Sequence, residues 1–353
     1  MDKQHRNFTG EDLILQDGFT TENDHHIKNA KITYHTAGKL NSDKDNVIWI
    51  CHALTANSNP GEWWKSFFED NNWLSLDDYF VVCVNIPGSC YGTFGPLDLG
   101  DGTALYHDFP HITIRDIVKC LRIVADNIGI KQIAYLIGAS MGGQQALEWA
   151  IEEPDRIRKL VLLATNAKHS PWGIAFNESQ RWAIETDPTW KDKNPDAGIN
   201  GMKVARSVAL LSYRSYDGFH LTQDDHYQYN EQRKAESYQR YQGEKLASRF
   251  NAFSYYFLSK AMDSHDVSRR RKSLQAALEQ IEADTIVLNL QDDLLFPIDD
   301  QKVLAKHIKK AKLETINSQF GHDGFLIETD QIKEVIYNWQ NQINKKNINE
   351  KTA

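Results

Sequence analysis

A serine placed between two glycines is the first feature of the sequence that could perform chemistry. The pentapeptide Gly138-Ala139-Ser140-Met141-Gly142 follows the apolar run QIAYLI and precedes a segment of helical periodicity. A G-x-S-x-G pattern between a strand and a helix is typical of a nucleophile elbow, a strained turn that lifts the serine hydroxyl above a sheet. Side chains at 138 and 142 would collide with neighbouring backbone, which explains the glycines. The pattern predicts Ser140 as a nucleophile at a helix N-terminus, where the Met141 N–H faces a developing oxyanion.

A serine nucleophile requires a histidine base and a carboxylate that orients the histidine. In folds that carry the elbow, the acid and then the histidine follow late strands of the sheet. His322 lies in the glycine-flanked loop GHDG after the strand pattern at Leu313–Asn317, and it is the predicted base. Asp292 and Asp293 directly follow the apolar run TIVLNL, and spacing alone leaves both open as the acid.

The second donor of an oxyanion hole should come from the loop after an early strand. The segment CHALT, from Cys51 to Thr55, is that loop, and the backbone N–H of Leu54 or Thr55 is the predicted donor. His52 in the same loop could act as a base. Its position before the oxyanion turn favours a structural hydrogen-bonding role instead.

No pattern in the sequence indicates a metal or nucleotide cofactor. There is no HExxH motif, no paired Cys/His spacing, no G-x-G-x-x-G and no Walker loop. The sequence therefore predicts no metal site and no tightly bound cofactor.

A sheet whose strands end at one edge is needed to bring these residues together. Near-continuous apolar runs indicate strands covered on both faces, as in a mostly parallel sheet. The predicted strands are Lys31–Tyr34, Asn46–Cys51, Tyr79–Ile86, Gln132–Ile137, Lys159–Ala164 and Thr285–Leu290. Helices are predicted after the N-cap Thr113 and from Ser140 to Ile151. The alternation predicts an α/β fold with a doubly wound sheet.

The strand pattern stops between about residues 166 and 282. Helical patterns in this stretch predict an all-helical lid, 166–282, inserted into a catalytic domain formed by 1–165 and 283–353. The Tyr- and Gln-rich run Tyr227–Tyr241 could suggest stacking on RNA. A solvated amphipathic helix or a helix-packing face is the favoured interpretation.

Composition limits the class of protein. The 353 residues carry a net charge of −8 and are 41% hydrophobic, which allows one large domain or two with a sizeable core. No uncharged apolar run approaches the roughly 18 residues of a membrane span, and the N-terminus lacks a secretory-signal pattern. The acidic balance disfavours nucleic acid or an anionic membrane as the main partner. Four scattered cysteines without CxxC spacing favour a reducing compartment, so we expect the cytoplasm.

Recognisable segments occur over nearly the whole chain: CHALT (51–55), PGEWW (60–64), YFVVCVN (79–85), GSCYGTFGP (88–96), TIRDIV (113–118), GASMGGQQALEWA (138–150), QRWAIETDPTW (180–190), VARSVALLSYRS (204–215), YQGEKLASRFNAFSYYFLSKAMD (241–263), DLLFP (293–297) and GHDGF (321–325). Taken together and in this order, these segments resemble the homoserine O-acetyltransferase family of the α/β-hydrolase superfamily.

The resemblance implies roles for individual residues. It implies that Ser140 is acylated, that Asp293 is the triad acid and that His322 is the general base. It also implies that Arg206 and Asp323 bind the carboxylate and the ammonium group of an amino acid, as their opposite charges allow.

The resemblance also implies an activity. It is transfer of an acetyl group from the co-substrate acetyl-CoA to the hydroxyl of L-homoserine, by a ping-pong reaction through an acyl-serine. Open alternatives are a succinyl donor, a serine acceptor, an esterase of the same fold and a catalytically silent binding module. The resemblance further implies a homodimer formed through the lid helices. The loop at 56–59, shorter than in most relatives, and the divergent segment 98–107 are expected to border the mouth of the site.

Overall fold

A computed structural model describes residues 7–68, 74–225 and 233–352, with side chains as far as residue 345. Within these residues, an eight-stranded sheet has the order β1-β4-β6-β5-β7-β8-β9-β10, and β2 and β3 form a separate hairpin. The strands are β1 (Thr9–Ile14), β2 (Phe19–Thr20), β3 (His26–Ile27), β4 (Lys31–Ala37), β5 (Val47–Cys51), β6 (Phe80–Val84), β7 (Ile133–Ala139), β8 (Lys159–Leu163), β9 (Asp284–Leu290) and β10 (Ala311–Ile316).

The sheet is mostly parallel, as the apolar runs predicted. Strand β4 pairs antiparallel with both β1 and β6, and the strands from β6 across to β10 pair parallel. Every residue of β5 and of β7 is buried, which is why these strands have continuous apolar sequences. The six predicted strands and the strand before His322 are all present, with ends shifted by up to three residues.

Strand β1 was not predicted. Its sequence, TGEDLI, is largely exposed, because it lies at the edge of the sheet and pairs only with β4. An exposed edge strand lacks the apolar run by which the buried strands were identified.

Helices cover both faces of the sheet. Outside the segment between β8 and β9 they are α1 (Pro60–Trp63), α2 (Lys65–Phe68), α3 (Ile114–Ile128), α4 (Met141–Glu152), α11 (Ile298–His307), α12 (Gly324–Ile327) and α13 (Thr329–Thr352). The predicted N-cap of α3 is confirmed: Thr113 and Asp116 form a capping box in which each side chain accepts the other residue's backbone N–H.

The segment between β8 and β9 is helical, apart from one isolated bridge between Lys168 and Asp266. Its helices are α5 (Pro171–Glu185), α6 (Ile199–Tyr213), α7 (Tyr216–Gln223), α8 (Lys234–Ala247), α9 (Ala252–Asp263) and α10 (Leu274–Leu278). Part of the Tyr-rich run, residues 227–232, lies outside the described residues. The remainder belongs mainly to α8, where Tyr238 packs edge-on against Phe219 at 6.1 Å and Tyr241 is exposed.

Partly buried ion pairs attach the end of this helical segment to the rest of the chain. Arg271 Nη2 lies 2.5 Å from Glu148 Oε1, which also receives Arg115 Nε at 2.7 Å. Arg269 Nη2 lies 2.7 Å from Glu22 Oε2. These charges therefore fix where the helical segment returns to the sheet.

None of the helices in the described ranges has the length and apolar character that a membrane crossing requires.

Candidate active site

Ser140 occupies the sharp turn between β7 and α4. Its backbone has φ 56° and ψ −126°, a region that residues other than glycine rarely adopt. Two hydrogen bonds hold the turn: the Ser140 N–H donates to Leu163 O at 3.0 Å, and Thr165 Oγ1 donates to Ser140 O at 2.9 Å. The predicted nucleophile elbow is thus present at the carboxyl end of a central strand.

The glycines on either side of Ser140 are sterically required, as predicted. A Cβ at Gly138 would lie 2.2 Å from Gly142 O, and a Cβ at Gly142 would lie 2.0 Å from Cys51 O. Backbone atoms cannot yield as a flexible side chain would. The same close approach places the start of the CHALT loop directly beside the elbow.

Ser140, His322 and Asp293 form a continuous hydrogen-bonded triad. Ser140 Oγ lies 2.9 Å from His322 Nε2, and His322 Nδ1 lies 2.7 Å from Asp293 Oδ2. All three side chains are buried. Asp292, the other candidate acid, is exposed and has a left-handed backbone with φ 59°. Of the two candidates, the structure therefore places Asp293, and not Asp292, against His322.

Hydrogen bonds define the protonation of the triad. Asp293 Oδ1 accepts the backbone N–H groups of Leu295 at 2.8 Å and Phe296 at 2.9 Å, and these bonds stabilise a carboxylate. The carboxylate's other oxygen can then accept only a protonated Nδ1 of His322. This leaves Nε2 free to accept the proton of Ser140.

Charge at the site favours a protonated His322. Burial lowers the pKa of His322, but the Asp293 charge, the hydrogen bond to Asp293 and the Asp323 charge outweigh burial. The pKa of His322 is therefore raised above its ordinary value. Rings of Tyr213, Phe296 and Phe325 pack around the imidazole at centroid distances of 5.3 to 5.6 Å.

The predicted oxyanion donors come from the elbow itself and from the CHALT loop that packs against it. Met141 opens α4, so its N–H is at the positive end of the helix dipole. Leu54 and Thr55 belong to the loop that packs on Gly142, and both line the same cavity as Ser140. Across the described ranges, the backbone N–H groups of Leu54, Thr55 and Met141 donate no hydrogen bond. Both Leu54 and Thr55 therefore remain possible second donors.

His52 is structural, as predicted. Its side chain is fully buried, with Nδ1 2.9 Å from Ala53 O and Nε2 accepting the Ile86 N–H at 3.2 Å. Burial, partly offset by the hydrogen bond to Ala53, lowers the pKa of His52 to about 4. Both ring nitrogens are occupied, so His52 cannot take a proton from a substrate.

A cavity of about 540 Å³ opens over Ser140 and His322. Arg206 from α6 and Asp323 from the turn after His322 line it, so the two charges expected to bind an amino acid face the triad's cavity. Arg206 Cζ lies 5.4 Å from the centre of the Tyr213 ring, a cation–π contact. Burial raises the pKa of Tyr213, which keeps its phenol neutral.

The partner of Asp323 was not predicted. Arg214 Nε lies 2.9 Å from Asp323 Oδ2, across the end of α6. Arg214 belongs to the quoted segment VARSVALLSYRS, but sequence spacing gives no sign that it reaches the histidine turn. The cavity is also lined by residues that were not predicted as part of the site, among them Glu62, Tyr91, Lys245 and Arg249.

Of the two divergent loops, 56–59 and 98–107, only the first borders the cavity. Ala56 and Asn57 line the cavity, so the 56–59 loop borders the mouth as expected. The expectation for 98–107 was wrong, because none of its residues lines the cavity. His107 packs instead against Trp190 at 4.7 Å and Phe253 at 4.9 Å, and Tyr106 also contacts Phe253. Aromatic residues in the helical segment hold this loop away from the mouth.

Within the parts of the chain that the structure describes, no group of three or more His, Cys, Asp or Glu side chains is arranged to hold a metal ion.

The chain is similar to known proteins over most of its length. Residues 46–329 match the family described as the α/β hydrolase fold. A homoserine O-acetyltransferase of Cyclobacterium marinum is 41% identical over 330 residues, covering 93% of this chain and 94% of the relative. The crystal structure of a homoserine O-acetyltransferase from Staphylococcus aureus is 29% identical with a TM-score of 0.80, covering 95% of this chain and 96% of that one.

An esterase also shares the fold. An acetylester hydrolase from Corynebacterium glutamicum is 22% identical with a TM-score of 0.82, covering 96% of this chain and 97% of that one. At that identity the likeness concerns the fold alone. The fold therefore does not separate acyl transfer from ester hydrolysis.

Proposed function

The chain belongs to the homoserine O-acetyltransferase family, which has the α/β-hydrolase fold, and from this membership we propose that it acetylates L-homoserine. The acyl donor is acetyl-CoA and the product is O-acetyl-L-homoserine, used in methionine biosynthesis. The observation that carries the proposal is a pair of opposite charges, Arg206 and Asp323, lining the cavity of a Ser-His-Asp triad.

In the first half-reaction, His322 Nε2 takes the proton of Ser140 Oγ as the oxygen attacks the thioester carbonyl. The N–H of Met141 and that of Leu54 or Thr55 stabilise the tetrahedral oxyanion. The C–S bond then breaks, the proton on His322 passes to the thiolate, and CoA leaves as a thiol. Ser140 keeps the acetyl group as an ester.

In the second half-reaction, His322 takes the proton of the homoserine hydroxyl, and that oxygen attacks the acetyl-serine carbonyl. The bond to Ser140 Oγ breaks and the serine recovers its proton from His322. Arg206 binds the homoserine carboxylate and Asp323 binds its ammonium group, which holds the hydroxyl at the acyl carbon. The Arg214 guanidinium, 2.9 Å from Asp323, orients that carboxylate.

Those two charges favour transfer over hydrolysis. An esterase acting on a simple acetyl ester has no need of a cation and an anion at fixed positions beside its nucleophile. A zwitterionic acceptor needs both. Burial of Ser140, which is only 5% exposed, also limits the access of water to the acetyl-serine. We propose that the helical segment 166–282 acts as the lid that provides this cover.

The reaction as proposed needs no resident cofactor, because the triad supplies nucleophile, base and acid, and acetyl-CoA is consumed as a co-substrate. We place the enzyme in the cytoplasm. The four cysteines are free thiols, three of them buried, which fits a reducing compartment.

We propose that two copies associate through the lid helices. Large apolar side chains are exposed on α6 and α7: Val204 (54%), Leu211 (56%), Tyr216 (75%) and Leu221 (65%). Val204 and Leu211 are seven residues apart and so lie on one face of α6. A second copy would cover this apolar face.

Thioester cleavage measured with and without an acceptor tests the proposed activity. Release of CoA from acetyl-CoA should be slow without L-homoserine and should increase strongly when it is added. L-Serine as acceptor and succinyl-CoA as donor, measured in parallel, test the two related activities. Cleavage that ignores homoserine would instead identify a hydrolase.

The variant Arg206→Ala tests the acceptor site. Loss of the cation should lower kcat/KM for homoserine by about tenfold or more, because a hydrogen bond to a charged group is lost. The burst of acylation by acetyl-CoA should stay nearly unchanged. Lys203→Ala is the matched control, since Lys203 lies on the same helix, does not line the cavity and pairs with Glu244. Equal losses in both half-reactions would refute the assignment.

A further inference from the structure

Two cations of the helical segment line the triad's cavity and have no part in the reaction described above. Lys245 lies in the last turn of α8, and Arg249 follows four residues later, in the turn that continues the helix. Residues four apart in such a turn lie on the same side of the chain. Both side chains are exposed, whereas Ser140, which lines the same cavity, is buried.

Neither cation forms an ion pair among the described residues. Glu244, the neighbour of Lys245, is paired with Lys203 at 2.9 Å. Glu62, another carboxylate that lines the cavity, accepts hydrogen bonds from Asn57 Nδ2 at 2.8 Å and Asn59 Nδ2 at 3.0 Å. The positive charge of Lys245 and Arg249 is therefore available to a ligand.

Arg249 is also fixed in place. Its Nη1 donates to Thr55 O and to Tyr91 Oη, both at 2.6 Å. These contacts leave the Nε and Nη2 edge of the guanidinium unused, and that planar edge is suited to bidentate binding of a phosphate. A guanidinium held by the protein loses less side-chain entropy when an anion binds.

The cavity is therefore lined by a buried nucleophile and by two exposed cations that form no ion pair with the described residues. We propose that Lys245 and Arg249 bind phosphate groups of the coenzyme A moiety while the thioester reaches Ser140. The inference rests on the proposed function and assigns its donor site. The phosphate groups of coenzyme A would contact the exposed cations, and its flexible arm would carry the thioester to the buried serine.

Donors with and without phosphates provide the test. Lys245→Ala and Arg249→Ala should each lower kcat/KM for acetyl-CoA by about tenfold, since each removes a charged hydrogen-bond donor. For a truncated thioester, S-acetyl-N-acetylcysteamine, which carries no phosphate, the same variants should change kcat/KM less than about twofold. The KM for acetyl-CoA should rise with ionic strength in the wild type and less steeply in the variants.

Arg240→Ala is the matched control, because Arg240 is an exposed cation on α8 that does not line the cavity. Equal losses of kcat/KM with both thioesters would mean that Arg249 only positions the Thr55 loop. An unchanged kcat/KM for acetyl-CoA would mean that neither cation contacts a phosphate. Either result overturns the proposal. Calorimetric titration with adenosine bisphosphate alone, which is not a substrate, keeps this test separate from the proposed activity. Binding weakened in both variants but not in Arg240→Ala supports the site even if homoserine proves not to be the acceptor.

Discussion

His322 is held between a negative charge and aromatic rings, and its pKa is raised because Asp293 and Asp323 outweigh burial. A raised pKa keeps the ring protonated to higher pH, so the free base is lost as the pH falls through that pKa. The pH profile of kcat/KM should therefore rise with pH through a midpoint above the ordinary histidine value of about 6.5.

Asp293→Asn should change both the rate and the profile. Without the carboxylate, burial dominates and lowers the pKa of His322, so the midpoint should move to lower pH. The rate should fall by about 10⁴-fold, because an amide no longer selects the correct tautomer. Asp292→Asn is the matched control, since its exposed side chain should change neither. A profile for Asp293→Asn that keeps its midpoint and its rate would remove Asp293 from the mechanism.

Some residues of the site could be predicted from the sequence and others could not. Ser140 and His322 could be predicted because glycines on both sides define their turns. Asp292 and Asp293 could not be separated by spacing, since their sequence distances to every motif differ by only one residue. The choice depends on the left-handed turn at Asp292, which directs the next side chain inward to His322. The contact of Arg214 with Asp323 depends on how α6 crosses the histidine turn, and no local pattern encodes that crossing.

At the scale of elements, the elbow depends on how closely α4 approaches the loop after β5. A Cβ on Gly142 would lie 2.0 Å from Cys51 O, so Gly142→Ala must push the two backbones apart. We expect a loss of about 1–3 kcal/mol in the free energy of unfolding, measured with urea. We also expect kcat to fall, because the oxyanion donors move apart.

Gly129→Ala separates stability from catalysis. Gly129 ends α3 with φ 79° and does not line the cavity, so alanine should cost about 1 kcal/mol of stability with little change in kcat. If Gly142→Ala retained full kcat, the close approach of the elbow to the CHALT loop would have no catalytic importance.

The elements themselves were largely predictable. Strands buried on both faces, such as Val47–Cys51 and Ile133–Ala139, have continuous apolar sequences, and Thr113 with Asp116 forms a recognisable cap. The edge strand Thr9–Ile14 has no such pattern, because its side chains face solvent. The divergent segment 98–107 was misplaced for a related reason: its aromatic contacts join it to residues far away in the chain.

At the scale of the whole molecule, the apolar face of α6 and α7 should control assembly. Leu211→Arg introduces a charge on this face and should convert a dimer to a monomer, as measured by sedimentation equilibrium. Val303→Arg on α11, also a partly exposed aliphatic position, is the control and should leave the mass unchanged. A monomeric wild type, or a Leu211→Arg variant that stays dimeric, would contradict association through the lid helices.

The charged residues of the helical segment have two different roles. Partly buried ion pairs of Arg271 with Glu148 and of Arg269 with Glu22 attach its end to the sheet, while α6 and the turn after α8 bring Arg206 and Arg249 to the cavity. The sequence indicated that this segment is helical, but not which of its charges are anchors and which face the substrate. That distinction depends on the packing of the whole molecule.

The proposed function requires that Ser140 carries an acetyl group that passes to homoserine. The most direct measurement isolates enzyme acetylated with labelled acetyl-CoA, maps the label by mass spectrometry, and follows its fate after L-homoserine or buffer alone is added. We expect label on Ser140, no label in Ser140→Ala, and rapid transfer to O-acetyl-L-homoserine only when homoserine is present. Label absent from Ser140, or lost as acetate at the same rate with and without homoserine, would contradict the proposed function.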